Sequence, residues 1–213
     1  MTENLSFDDI KQRFNNDKNF KLGTYIVGGI LGLVLVFFLY RQFIWTPANE
    51  KSNDGWWSSM NLIEKDSTDQ AIKTLEPFVK SYDGKTGGEI GQYLLGTQYM
   101  KKGEFKKALD VLADVDLNDT YISTMSIGLQ GDCHSEMKNY DEALKMYVKA
   151  ANNIENEMTT PMYLFKAGLC AEKLKKFEDA TTYYTRIQDD FPGYAGQKTI
   201  EKYIARVSSI KSK

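Results

Sequence analysis

The chain has 213 residues, of which 27 are lysine or arginine and 29 are aspartate or glutamate, so its formal charge is −2. This balance, without a basic stripe, lacks the electrostatic footprint of a nucleic-acid-binding protein, so nucleic acid is excluded as the expected partner. Proline is scarce, at 4 residues, which suits a helical protein.

Residues 1–21 form a short polar tail. Ser6 and Asp9 can cap a short helix within it. The apolar side of this helix would consist of Leu5, Ile10 and Phe14. Such a helix could rest on a membrane surface or contact a cytoplasmic partner, and the same residues are also compatible with a frayed tail.

Residues 22–40 are 19 consecutive residues without a charged side chain. A helix of about 20 apolar residues crosses the hydrocarbon core of a bilayer, so this segment is predicted to be a transmembrane helix. A cleavable signal peptide has a shorter apolar core and a small-residue cleavage site, whereas bulky aromatic residues follow this run as far as Trp45. We therefore expect a retained anchor, followed by a linker over residues 41–51.

The basic residues around the span predict its orientation. Arg41 and Lys51 follow the span. The basic residues before it are Lys11, Arg13, Lys18 and Lys21. The excess before the span places the amino terminus in the cytoplasm and the carboxy-terminal part on the far side, which in a bacterium is the periplasm. The expected location is therefore the inner membrane, and the alternative is the reversed topology with a cytoplasmic carboxy-terminal part.

Gly28 and Gly32 form a GxxxG pair inside the predicted span. This spacing permits close helix approach in lipid, which favours a packing face for another membrane helix. The other interpretation is that glycine is simply common in membrane helices.

Three stretches in the second half of the chain repeat one pattern at a spacing of 35 to 37 residues. A small residue is followed by a short polar turn and then by an alanine twelve residues later. The anchor pairs are Gly96 with Ala108, Gly131 with Ala143, and Gly168 with Ala180. Such a period predicts stacked pairs of antiparallel helices, in which the small residues let two backbones approach.

This spacing resembles the tetratricopeptide repeat (TPR), whose unit has about 34 residues. The clear repeats are expected at about residues 89–121, 124–156 and 161–194. A degenerate earlier copy is expected at 52–85, and an amphipathic capping helix at about 195–211. The predicted fold is therefore all-α, with one amino-terminal transmembrane helix and then a TPR α-solenoid of about four helix pairs and a cap over residues 52–211.

The cysteines and the histidine carry no signature of catalysis. Cys133 and Cys170 occupy equivalent places in successive repeats, about 9–10 Å apart on stacked helices. A disulfide needs Cα atoms within about 7 Å, so we expect two free, mostly buried thiols. His134, the only histidine, stands at a core-type position. Because no catalytic motif is present, we expect no enzymatic activity and no catalytic, cofactor-binding or metal-binding residue.

In TPR proteins the first helices line an inner groove that binds peptides. Transfer of the groove positions onto this sequence gives a protein-binding surface of Ile90, Tyr93, Met100, Met125, Met162, Phe165 and Leu169. Methionine is flexible and polarizable, so such a surface accepts varied apolar partners. The alternative is that these side chains pack against other parts of the chain. Only Lys166 matches the basic clamp of TPR proteins that bind chaperone tails.

The tail, the single anchor and the far-side TPR array together resemble the YfgM-like ancillary subunits of the bacterial SecYEG translocon. The stretches most similar to that family are Asn139–Ala151, Thr159–Leu169 and Phe191–Val207. The weak first unit, with Trp56 and Trp57, departs from it. The resemblance implies a position beside SecYEG, a membrane-anchored periplasmic prolyl isomerase as partner, and contact with emerging secreted polypeptides. The alternative function is a scaffold for envelope or cell-division assembly away from the translocon.

Overall fold

The structure of the protein is a computed structural model that describes residues 6–211. Every regular element in this range is a helix, so the predicted all-α class is confirmed. Leu5, assigned above to the apolar side of the first helix, lies outside the described residues. The chain divides into two compact units, of which one ends at Glu50 and the other begins at Lys51.

The first unit contains α1 (Phe7–Asn16) and α2 (Lys18–Tyr40). Asp17 separates them in an extended conformation, and its carboxylate accepts hydrogen bonds from the backbone N–H groups of Asn19 and Phe20. Such a cap satisfies donors that have no partner inside the helix. The segment predicted to span the membrane lies within α2. Judged by length and composition alone, this is the one helix among the described residues that could cross a membrane.

Residues 41–51, predicted as a linker, are helical. A π-helical turn covers Arg41–Trp45, and α3 covers Thr46–Gly55. The backbone N–H of Thr46 donates to a carbonyl five residues earlier, as a π-turn requires. Pro47, at the start of α3, has no N–H to donate to the carbonyls of the π-helical turn before it, so the helix continues there without that backbone hydrogen bond.

The second unit is a stack of helix pairs. The pairs are α4 (Trp57–Glu64) with α5 (Thr68–Ser81), α6 (Thr86–Lys101) with α7 (Phe105–Ala113), α8 (Ile122–Glu136) with α9 (Tyr140–Ala151), and α10 (Thr159–Lys173) with α11 (Phe177–Asp190). Each of these helices contacts the next one along the chain, and α8 also contacts α6 and α10. Contacts of this kind, between neighbours in sequence, define a solenoid. The four pairs agree with the predicted architecture.

Each pair is joined by a turn that has one residue with a positive φ angle. These residues are Asp66, Gly103, Lys138 and Lys175, with φ between 59° and 75° and intervals of 37, 35 and 37 residues. The backbone N–H of the residue that follows donates to a carbonyl five residues earlier, as Ser67 does to Leu62 at 2.8 Å. This hydrogen bond closes the first helix of the pair in a Schellman arrangement. The weak first pair therefore has the same turn as the three clear ones.

The repeated alanines and glycines have separate tasks in the packing. The alanines of the second helices are all 0% exposed: Ala71, Ala108, Ala143 and Ala180. A Cβ atom on the glycine of the first helix would lie 2.3–2.6 Å from a large side chain four residues beyond that alanine. The contacts are Gly96 with Leu112, Gly131 with Tyr147, and Gly168 with Tyr184. The glycines thus make room for a side chain of the partner helix, a role more specific than the expected approach of two backbones.

The carboxy-terminal cap consists of two helices, α12 (Pro192–Lys198) and α13 (Ile200–Lys211). Thr199 separates them with a φ angle of 53°. Pro192 lies in the first turn of α12, where a missing backbone N–H leaves no hydrogen bond unmade. Helix α13 packs on α11, and its Ile200 and Val207 are buried. The exposed side of α13 is mostly polar, as the end of a solenoid requires.

Candidate protein-binding surface

The first helices of successive pairs lie side by side, because α6 contacts α8 and α8 contacts α10. Together with α13, they form a surface that we call the first-helix face. Two adjoining clefts open on it, with volumes of about 540 Å³ and about 420 Å³. Both clefts are lined by Asp132, Ser135 and Tyr147, so they form one continuous depression.

The first of two carboxylates in the larger cleft belongs to Asp132 of α8. Lys166 of α10 donates to both of its oxygens at 2.7 Å. The hydroxyl of Tyr147, from α9, donates to one of them at 2.8 Å. The side chains of Asp132 and Lys166 are 24% and 33% exposed, so the ion pair is partly shielded from water. The pair links two successive repeats and fixes the geometry of the cleft wall.

The second carboxylate belongs to Glu172, near the end of α10. Arg206 of α13 donates to both oxygens, at 2.6 and 3.0 Å, in a bidentate pair. The hydroxyl of Tyr184, from α11, donates to it at 2.6 Å. The Glu172 side chain is 15% exposed and the Arg206 side chain is 49% exposed. The terminal helix is thus tied to the last clear repeat through this carboxylate.

The two phenols at these carboxylates remain protonated hydrogen-bond donors. Burial raises the pKa of Tyr147, and the negative charge of Asp132 raises it further. Burial and the hydrogen bond to Glu172 likewise raise the pKa of Tyr184. Both hydroxyls therefore stay neutral and hold their carboxylates in place.

The sequence prediction did not single out these networks. Tyr147 and Tyr184 lie sixteen residues after Gly131 and Gly168, and Leu112 lies sixteen residues after the equivalent glycine. That shared offset is the sequence signal that could have predicted the packing of these two tyrosines, which lie on second helices, against the first helix of the same pair. The ion pairs left no comparable signal, because their partners are 34 residues apart and lie on different helices.

The structure distributes the predicted groove residues along the first-helix face. Ile90, Tyr93 and Met100 lie on α6, Met125 on α8, and Met162, Phe165 and Leu169 on α10. Leu169 is the most exposed of the seven, at 37%, and the other six are half-buried. Met100 lines the smaller cleft and Leu169 the larger one. The clefts are thus bordered by apolar residues and walled by ion pairs, whereas the sequence predicted an essentially apolar surface.

The chain itself covers part of the surface. The ring of Phe165 meets Tyr203 of α13 edge to face, with ring centroids 4.9 Å apart. Lys198 of α12 lies over the same ring, with its Nζ 6.0 Å from the centroid. In α8, Gly128 is covered by the ring of Tyr163, which would lie 1.9 Å from a Cβ atom at that position. Leu169 therefore offers a partner more free area than Phe165.

Lys166 is the only residue that matches the clamp of chaperone-tail receptors, and it is already paired. Both oxygens of Asp132 accept hydrogen bonds from it. Its Nζ also lies 5.6 Å from the ring centroid of Tyr163 and 5.7 Å from that of Tyr147. A carboxylate ligand would have to displace Asp132, which disfavours that mode of binding.

The two cysteines are free and buried, as predicted. Burial raises the pKa of Cys133 to about 12 and that of Cys170 to about 11. A nucleophilic cysteine needs the opposite shift, because the thiolate is the reactive form. His134 is half-buried in the last turn of α8. Among residues 6–211, no three or more His, Cys, Asp or Glu side chains are grouped so that they could hold a metal ion.

Comparison with known proteins agrees with this architecture. A family profile described as tetratricopeptide repeat matches residues 163–194. A crystal structure of a Podosopora anserina kinesin light chain with nearly identical TPR-like repeats has a TM-score of 0.57 and 11% identity, and covers 78% of this chain and 88% of that one. A variant of the same Podosopora anserina protein has the same TM-score and coverage, with 12% identity. No curated protein sequence matches this chain.

The protein therefore has a TPR-like solenoid fold, as predicted, together with an amino-terminal helix long and apolar enough to cross a membrane. TPR repeats are protein–protein interaction scaffolds and typically not catalytic. The clefts on the first-helix face are the candidate site for a protein partner.

Proposed function

We propose that this protein is a non-enzymatic, membrane-anchored scaffold that binds partner proteins and emerging polypeptides beside the Sec translocation channel. The coarser part of this proposal, a protein-binding scaffold, follows from the TPR-like fold. The position at the channel, the periplasmic location of the array and the prolyl isomerase as partner rest on the resemblance to YfgM-like translocon subunits.

The observation that carries the proposal is the position of Leu169 in the larger cleft. This leucine is 37% exposed, and it lies beside two carboxylates that are already paired within the chain. An apolar contact surrounded by satisfied polar groups is the usual anatomy of a site for a protein segment. Because Asp132 and Glu172 are already paired within the chain, a ligand does not have to compensate a buried charge.

The remainder of the first-helix face supplies adaptable contacts. Met125 and Met162 are partly buried on neighbouring first helices, and Tyr93 lies on the helix before them. Methionine side chains change rotamer at low cost, so they can fit apolar side chains of different shape. A binder of emerging polypeptides needs this tolerance, because the segments it meets differ in sequence.

The amino-terminal helix supports the anchored form of the proposal. No residue of α2 is buried, although the helix is strongly apolar, so its side chains need an apolar environment from outside the chain. A bilayer provides it along the whole length of residues 22–40. The basic residues before this segment favour a cytoplasmic amino terminus and a periplasmic array.

Site-specific photo-cross-linking tests the proposal. A photoreactive amino acid at Leu169, in the larger cleft, is compared with one at Thr182, which is exposed on α11 and lines neither cleft. The proposal predicts cross-links to SecYEG subunits, a prolyl isomerase or secreted chains from position 169 only. Envelope or division proteins in their place would favour the alternative scaffold. Equal yields at both positions would contradict the assignment of the cleft.

A further inference from the structure

The short helix α1 has an apolar stripe that the other residues described by the structure leave largely exposed. Phe7, Ile10 and Phe14 follow one another at the spacing of a single helix face. Phe7 is 80% exposed and Ile10 is 44% exposed. The opposite face presents Asp8 and Gln12 to solvent. An exposed aromatic and aliphatic stripe of this kind needs an occupant.

The break at Asp17 brings this stripe back toward α2. In one straight helix, Phe14 and Tyr25 would be separated by about 16 Å along the axis, at about 1.5 Å per residue. The structure has their ring centroids 5.7 Å apart, in an edge-to-face contact. Lys21 lies over the Phe14 ring, with its Nζ 5.4 Å from the centroid. The chain therefore bends at the Asp17 cap, and α1 packs against the start of α2.

The level of this contact on α2 identifies the occupant. Tyr25 lies three residues inside the apolar segment that begins at Leu22, which is about 4.5 Å of helical rise. A residue that contacts Tyr25 lies at the boundary between lipid headgroups and acyl chains whenever α2 crosses a bilayer. Amphipathic helices that lie in a membrane surface bury their apolar face to about 5–10 Å in the same region.

We infer that α1 is an interfacial helix, which lies in the bilayer surface with Phe7, Ile10 and Phe14 turned toward the acyl chains. This inference rests on the membrane anchor of the proposed function. Lys18 and Lys21 then stand among the lipid headgroups. Their charges suit the anionic lipids of a cytoplasmic leaflet. The helix fixes the depth of α2 and occupies the lipid surface next to the span.

Spin labels on the full chain test the inference. Single cysteines replace Ile10 on the apolar stripe, Gln12 on the polar face and Val34 within α2, in a background with Cys133→Ala and Cys170→Ala. The protein is reconstituted into vesicles of phosphatidylethanolamine and phosphatidylglycerol. Collision with oxygen and with a water-soluble nickel chelate, present on both sides, gives the depth of each label. Far-ultraviolet circular dichroism confirms that each labelled variant is folded.

We expect the label at position 10 to lie deeper than the label at position 12 by up to about 10 Å, the diameter of the helix. Equal exposure of both labels to the chelate would overturn the inference, and so would a label at position 10 shielded from both reagents, because protein would then cover the stripe. The label at position 34 separates this result from the anchor itself. If it meets oxygen but not the chelate, α2 is inserted, whereas exposure to the chelate would refute the anchor.

Discussion

A methyl group added at Gly168 tests how the helix pairs are packed. The Cβ atom of Gly168→Ala would lie 2.3 Å from Cε1 and 2.6 Å from Cζ of Tyr184. The ring has little freedom to move, because Tyr184 is 0% exposed and its hydroxyl donates to Glu172. Forcing extra volume into a filled core costs about 1–3 kcal/mol. Alanine is a better helix former than glycine by up to about 1 kcal/mol, which offsets part of that cost.

Gly196→Ala is the matched control, because Gly196 is helical and a Cβ atom there has no neighbour within 4 Å. Both variants gain helix propensity, so the difference between them isolates the collision with Tyr184. We expect the free energy of unfolding of Gly168→Ala to be lower than that of Gly196→Ala by about 1–3 kcal/mol. Chemical unfolding of the full chain in detergent, followed by circular dichroism, measures it. Identical unfolding curves would refute the role assigned to the glycine.

Three further predictions concern titration, thiol reactivity and the terminal ion pair. Burial raises the pKa of Tyr99 from 10.0 to about 12, so the folded chain holds this proton more tightly than the unfolded chain. The stabilisation that comes from this proton is intact below pH 10 and is lost as the pH rises toward 12. Unfolding measured at several alkaline pH values should show this loss, and a constant free energy of unfolding over that range would contradict it. Cys133 and Cys170 should react with a thiol reagent only after unfolding, and rapid reaction of the native protein would show that they are accessible. Arg206→Gln should lower the free energy of unfolding by about 1 kcal/mol, a modest loss because the arginine is half exposed. Arg206→Lys should recover only part of that stability, because lysine cannot form the bidentate pair with Glu172. Full restoration by lysine would contradict the bidentate geometry.

The sequence was sufficient to predict the stack of helix pairs, because its packing requirements are local and repeated. Ala108, Ala143 and Ala180 recur at fixed distances from a glycine, and each is fully buried. A small side chain at that place is needed in every pair, so the pattern is present in each clear repeat while the residues around it differ. The turn at Asp66 shows that the weak first pair keeps the same turn geometry. In that pair Ser59 stands twelve residues before Ala71, at the position that a glycine occupies in the clear repeats.

The charged walls of the cleft depend on contacts that no short sequence window contains. The pair Asp132–Lys166 joins two neighbouring repeats, and the pair Glu172–Arg206 joins the last clear repeat to the capping helix α13. Their formation depends on the rotation between successive helix pairs, which the repeat length alone does not specify. A transfer of groove positions from other TPR proteins therefore predicted Leu169, which lines the larger cleft, but not the ion pairs beside it.

The helical character of residues 41–51 was missed for a local reason. Thr46 and Pro47 are typical of a break in a helix, because proline cannot donate a backbone hydrogen bond. The π-turn over Arg41–Trp45 lies directly before them and allows the helix to continue. One extra residue in that turn changes the hydrogen-bond pattern, and a pattern based on about 3.6 residues per turn does not anticipate it.

Recovery of protein partners with a cleft variant tests the binding of partners at the first-helix face most directly. Leu169→Glu places a charge in the larger cleft, and Thr182→Glu places the same charge on the exposed side of α11. Both full-length variants are purified from membranes in mild detergent, and their thermal unfolding is compared with that of the unchanged protein. Truncation of a hot-spot residue at the centre of an interface weakens binding by about 2 kcal/mol or more, which is roughly thirtyfold in affinity. If Leu169 is such a residue, Leu169→Glu recovers partners roughly thirtyfold less well, while Thr182→Glu recovers them fully. Equal recovery by the two variants, both folded, would contradict the account.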